Sequence, residues 1–273
     1  MNGPDFIVAG FPKCGTTWLY DRLRELPDFG MPTGKELHFF SRHQQYNLKG
    51  ETGATRQTLN LRKLLLRNFG IGGVDFFLHY LKFWQSNEQL YLRLFDALTG
   101  ISGDVTPIYS MLPIESVKRL ARLVPETKIV FIMRNPVDRA WSHFRMYLRN
   151  NGKRFDKLEE EEMHWFFNRP LMRNRGGYRE AIEKYQQCFP PENISIHFYD
   201  QLRQAPEAFL AEIVGFLGGR KETISEYCTL DAVSNASKQI AIPEQVEEYL
   251  RVLNQSELEW TKENFPEQTE AWR

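Results

Sequence analysis

The chain has 273 residues, and its 35 Lys plus Arg balance 35 Asp plus Glu, so no global field favours nucleic acid and any anion site must be local. That length suits one large α/β domain or a domain with a helical insertion; no basic-then-apolar leader and no run of about 18 apolar residues is present, so neither a targeting segment nor a membrane span is expected. Cys14, Cys188 and Cys228 stand far apart, which excludes a Cys-x-x-Cys pair and fits a reducing, cytoplasmic compartment.

Phe6 to Ala9 is a short apolar run, the mark of a buried parallel strand. Gly10 and Gly15 bound a tight turn. Thr16, Thr17 and Trp18 then open a helix that carries Leu19, Leu23 and Leu26 on one face. Pro27 to Gly34 is turn-rich, with room for a short second strand. Lys35-Glu-Leu-His-Phe-Phe40 runs a charged pair into aromatics. Residues 44–98 are rich in Leu, Phe, Tyr, Arg and Gln, with breaks at Gly50–Gly53 and Gly70–Gly73, and read as a helical insertion or lid.

Gly103-Asp-Val-Thr-Pro-Ile-Tyr109 follows a short strand, and Ser116 to Leu123 is a helix stopped by Pro125. Lys128 to Met133 is the clearest strand. It runs into Arg134-Asn-Pro-Val-Asp138, where Asn135 can cap a helix and Pro136 fits its first position. Val137, Ala140, Trp141, Phe144 and Leu148 mark the buried stripe of that helix. The charge-dense residues 153–162 read as a solvated face. Gly177 to Gln187 predicts a helix, Ile194 to Tyr199 a strand, Ala208 to Leu217 a helix stopped by Gly218-Gly219, and Glu244 to Leu253 a helix. Strands alternating with helices predict an α/β fold: a central parallel sheet with helices on both faces and a P-loop-like strand–loop–helix at its N-terminal end.

The Gly10–Gly15 turn aims backbone N–H groups at an anion from a helix N-terminus. It keeps the glycine spacing and the hydroxyl, at Thr17, of the nucleotide-triphosphate pattern G-x-x-x-x-G-K-[ST]. Thr16, however, stands where that pattern has its lysine, and Lys13 comes three residues earlier, inside the loop. A nucleoside-triphosphate enzyme also needs an acid for Mg²⁺ at the end of an apolar strand. The best strand ends in Arg134 instead, and the approach to Asp104 is hardly that of a buried strand. Arg134, placed at a strand's carboxyl end, can take a phosphate with two hydrogen bonds, and Ser142 lies about two turns into the next helix. Glu36 is a candidate base whose apolar neighbours are expected to raise its pKa, and His38 is a second candidate. No metal is required by this constellation.

Taken together, these residues resemble the sulfotransferases that use 3′-phosphoadenosine-5′-phosphosulfate (PAPS). Pro12-Lys-Cys-Gly-Thr-Thr-Trp18 is similar to their 5′-phosphosulfate loop, and Arg134-Asn-Pro-Val-Asp-Arg-Ala-Trp-Ser142 to their 3′-phosphate motif. Lys35–Phe40 is similar to the segment bearing the glutamate base in glycosaminoglycan and related bacterial enzymes, and Gly103–Tyr109, Gly177-Tyr178 and Phe216-Leu-Gly218 also fit. The resemblance implies PAPS as cofactor, adenosine 3′,5′-bisphosphate (PAP) as product, and in-line transfer to a small-molecule or carrier-bound hydroxyl. It implies catalytic roles for Lys13, Glu36 or His38, and cofactor contacts from Lys13, Cys14, Gly15, Thr16, Thr17, Trp18, Arg134, Ser142 and Tyr178, with Lys238 of Ser234–Lys238 on the 3′ side. Val105 stands near where glycosaminoglycan enzymes often carry a lysine, and the Gly- and Lys-rich ending of aryl and steroid enzymes has no match. A nucleoside-triphosphate kinase or switch is the rival reading, and a non-catalytic binding module a third.

Overall fold

The computed structural model describes residues 3–41, 88–155, 160–230 and 240–272. Residues 44–87 of the expected lid, and Ser234–Lys238 with Lys238, lie outside them. Five strands form one parallel sheet: β1 (Phe6–Gly10), β2 (Phe29–Gly30), β3 (Ile101–Val105), β4 (Lys128–Met133) and β5 (Ile194–Phe198), in the order β2-β3-β1-β4-β5. The longer helices are α1 (Thr16–Leu23), α2 (Glu88–Asp96), α3 (Ile114–Leu123), α4 (Pro136–Asn150), α5 (Glu160–Asn168), α6 (Tyr178–Gln186), α7 (Pro206–Leu217), α8 (Glu244–Leu253) and α9 (Gln255–Asn264). The alternation of short apolar runs with amphipathic stretches thus yields the expected α/β architecture.

All of β1, and all of β4 except Lys128, is buried, as a parallel sheet covered on both faces demands. On α4 the expected stripe of Val137, Ala140, Trp141, Phe144 and Leu148 is buried, Asn135 Oδ1 accepts from the Val137 amide at 2.9 Å, and Pro136 opens the helix. No helix among the described residues is long and apolar enough to cross a membrane.

One strand reads differently from its sequence. β3 is Ile-Ser-Gly-Asp-Val, too polar to look buried, yet it lies between β1 and β2 with its last four residues buried. Its polar groups are matched locally. The Asp5 carboxylate accepts from the amide and the hydroxyl of Ser102, at 2.7 and 3.0 Å. The Asp104 carboxylate accepts from three hydroxyls, described below. The expectation that the approach to Asp104 was no buried strand is therefore corrected: hydrogen-bond partners replace apolarity. Helix α9, following the weak signal after Gly219, was not foreseen.

The chain crosses from the β3 side of β1 to the β4 side, so the crevice between the carboxyl ends of β1 and β4 is the switch point of the sheet. The Gly10–Gly15 loop leaves one side of it and Arg134 the other.

Candidate active site

The loop after β1 turns through two residues in the left-handed region, Lys13 (φ 74°) and Gly15 (φ 88°). A Cβ on Gly15 would stand 2.7 Å from Leu202 Cδ2 and 3.1 Å from the Tyr199 ring, so a larger residue there would displace both. Gly15 is the N-cap of α1, which has no side-chain cap and no acid in its first turn. The helix therefore presents uncapped N–H groups and an unopposed positive dipole end to the crevice. The Cys14 amide is used inside the turn, donating to Phe11 O at 3.3 Å.

Lys13 leaves this loop toward α4, where its Nζ meets Met146 Sδ at 3.7 Å. Burial, then the charges of Arg149, Arg134 and Arg145, lower its ammonium from the usual 10.5 to about 8. Arg134 approaches from β4. Its Nη1 donates to Lys13 O at 3.4 Å, its guanidinium lies 4.6 Å from the Tyr199 ring centroid, and its buried Nε has no partner. Ser142, Arg145, Met146 and Arg149 recur at i, i+3, i+4 and i+7, so Ser142 shares the face of α4 whose Met146 touches Lys13. Arg145 and Arg149 were missed in the sequence; that spacing was the signal that could have found them.

The Lys35–Phe40 segment is held at the carboxyl end of β3, the strand beside β1. Glu36 (φ 64°) and His38 (φ 58°) join Lys13 as the only non-glycine residues with positive φ among the described residues. Such backbone costs about 1–3 kcal/mol per residue and persists where surrounding contacts impose it. Here the contacts are visible: the Glu36 amide donates to Val105 O at 3.1 Å, the His38 amide to Thr106 Oγ1 at 3.5 Å, and the Phe40 amide to the Tyr109 hydroxyl at 3.4 Å. Behind them, Asp104 is fully buried and accepts from Thr106 Oγ1 at 2.5 Å, Tyr109 at 3.0 Å and Tyr91 at 3.1 Å. Burial raises its pKa while the hydroxyls oppose the rise. Asp104 is thus the anchor of the Glu36 segment, a role the sequence reading missed.

The Glu36 carboxylate takes Lys35 Nζ at 2.9 Å and lies 3.4 Å from His38 Nε2. Its expected upward pKa shift is corrected. Burial does push upward, but His38 and Lys35 outweigh it, and the carboxyl falls from 4.5 to about 2. The apolar neighbours named in the sequence turn inward instead: Leu37, Phe39 and Phe40 are buried, and Phe39 stacks on Tyr91 with centroids 4.7 Å apart.

Two aromatic site residues stand behind the loop. Tyr178 is fully buried, its hydroxyl donating to Arg134 O at 2.6 Å and its ring 4.4 Å from that of Phe11. The Trp18 side chain is buried and packs against Phe209, with ring centroids 6.1 Å apart. Burial raises the Cys14 thiol to about 11, so that side chain is inert at neutral pH. Thr16 is buried and Thr17 half-buried at the helix start. Thr229, before the stretch that holds Lys238, is tied through its carbonyl to Arg22 on α1, and Ile240 after it accepts from Trp141 Nε1 on α4 at 3.0 Å.

This geometry has known counterparts. The human bifunctional heparan sulfate N-deacetylase/N-sulfotransferase 3 is 33% identical over 231 residues, 79% of this chain and 22% of the relative. Rat carbohydrate sulfotransferase 15 is 23% identical over 186 residues, 58% of this chain and 29% of the relative. The chain thus spans under a third of the length of these curated relatives. Among solved structures, a sulfotransferase from Alicyclobacillus acidocaldarius superimposes over the whole of both chains, with TM-score 0.66 at 24% identity. A mouse sulfotransferase solved in complex with PAP gives TM-score 0.52 at 16% identity, covering 93% of this chain and 84% of that one. The sulfotransferase domain family matches residues 3–271, almost the full length, and on that match the chain belongs to the sulfotransferase domain family.

Proposed function

We propose that the protein moves a sulfuryl group from PAPS to an acceptor hydroxyl by in-line transfer. The observation that carries this reading is the meeting of Lys13 and Arg134 across the switch crevice, beside an uncapped helix N-terminus and an Arg134 Nε that has no partner. That donor set suits a nucleotide bearing two separated anionic groups. When bound, PAPS supplies a sulfuryl group activated by its bond to phosphate. Lys13 and the N-terminal amides of α1 neutralise charge on the departing 5′-phosphate oxygen. Arg134 and Ser142 hold the 3′-phosphate, with Arg145 and Arg149 adding positive potential. Glu36, ionised in its pair with Lys35 and His38, takes the acceptor proton as the new S–O bond forms and the old one breaks. The free thiols of Cys14, Cys188 and Cys228 support a reducing compartment such as the cytoplasm.

The rival kinase reading is disfavoured by residue roles. Asp104, the acid that Mg²⁺ would need, is committed to three hydroxyls in the core. Calorimetry decides between them: PAP should bind without Mg²⁺ and more tightly than Mg-ATP, and the reverse order sinks the assignment. A screen of hydroxyl acceptors with isotope-labelled PAPS, read by mass spectrometry, should then show transfer of the label.

A further inference from the structure

A cavity of about 310 Å³ has neither Lys13, Glu36 nor Arg134 in its lining. Its walls come from α4, α5, the 172–177 connection, α6 and the α8–α9 junction. In one wall stands Arg139, 2% exposed. Its Nε and Nη1 have no hydrogen-bond partner, and no carboxylate lies in ion-pair range of it among the described residues. A buried, unpaired guanidinium is costly, and its retention asks for an anion. Nη2 lies on the Gly176 side, where an added Cβ would stand 2.7 Å from it.

The two acids in the lining are engaged elsewhere, Glu180 with Lys184 Nζ at 3.2 Å and Glu257 with backbone amides. Glu257 Oε2 accepts from the Tyr178 and Arg179 amides at 2.9 and 3.2 Å, which caps the start of α6. The lining is mixed: Phe166, Phe167, Met172 and Leu253 stand among polar residues that include His143, Arg173 and Asn254. A cavity of this size that offers a buried guanidinium together with apolar side chains fits more than a bare ion.

We infer that this cavity binds a small organic anion, a carboxylate or sulfate ester, with its acid head on Arg139 and its hydrocarbon body against Phe166, Phe167 and Met172. The inference does not depend on sulfuryl transfer. Benzoate is a suitable probe and benzyl alcohol its neutral counterpart, titrated calorimetrically into the 273-residue chain with its nucleotide site filled by PAP. Benzoate should bind at about 1 mM or tighter, and benzyl alcohol roughly tenfold or more weakly, as for loss of a charge-assisted contact. Arg139→Met should remove that preference. Gly176→Ala, which crowds Nη2 while leaving the charge, should weaken benzoate as well and serves if Arg139→Met does not fold. Absence of benzoate binding, equal affinity for the two probes, or benzoate affinity surviving the substitutions overturns the inference. Failure of PAP to bind speaks against the nucleotide reading alone, and the titration is then repeated on Arg134→Ala, in which the competing oxyanion site is weakened.

Discussion

At the scale of single residues, the site is decided by charges that neighbour one another. With its pKa at about 2, Glu36 is ionised across the working range, so it is ready to accept a proton but is weakly basic while Lys35 and His38 hold it. Glu36→Gln should lower turnover by about 10²–10⁴ with PAP affinity almost unchanged, and His38→Ala should be milder. The kcat/KM profile should show no acid limb from Glu36 above about pH 4; a limb above that pH which disappears in His38→Ala transfers the role of base to His38. Lys13 carries the opposite signature. Its folded pKa of about 8 lies below the unfolded 10.5, so its charge costs stability below pH 8, and that cost fades as pH rises toward 10.5. Lys13→Met should raise the Tm by about 2 °C or more at pH 7, with the gap closing in alkali, while transfer is lost. An unchanged Tm at pH 7 would show that the lysine is well solvated. Arg134→Ala should weaken PAP by about 10–100-fold, equivalent to roughly 1.5–3 kcal/mol, in a chain that stays folded; full affinity would leave Arg134 a structural residue.

At the scale of elements, what could be read from the sequence followed local pattern. β1, β4 and α4 announced themselves because apolar runs and the Asn135-Pro136 start are short-range signals. β3 did not, because its burial depends on hydroxyls from Tyr91, Thr106 and Tyr109 that arrive from α2 and from the turn after the strand. Glu36 was misread at short range: its aromatic neighbours suggested a raised pKa, but those rings turn inward and the charged neighbours Lys35 and His38, at i−1 and i+2, hold the carboxylate. Lys13, Arg134 and Ser142 could be named from motif spacing, whereas Arg145 and Arg149 needed the helix face to be seen. β3 is also the element on which the Glu36 segment rests. Asp104→Ala strands three buried hydroxyls, and a loss of about 3 kcal/mol should lower the Tm by roughly 6–12 °C. It should cut turnover more than PAP affinity, because Lys13 and Arg134 sit on other strands. Equal losses in both would place Asp104 in support of the whole sheet.

At the scale of the whole molecule, the site is shared between distant parts of the chain. β1 pairs with β3 and β4, so Phe6 lies opposite Gly103 and Lys128. These pairings close loops of about a hundred residues, which is a slow step in folding. A nascent chain that has emerged only as far as residue 124 holds the entire phosphate loop yet lacks β4, Arg134 and the whole of α4. Nucleotide can therefore reward only chains in which the N-terminal strand has already found its middle strands, and it acts as a late check on assembly rather than as an early nucleus. Under that ordering, PAP should slow unfolding and leave the refolding rate nearly unchanged, adding about 2.7 kcal/mol at a hundredfold excess over Kd. Refolding that accelerates with PAP would mean that the crevice between β1 and β4 forms before the rest of the sheet.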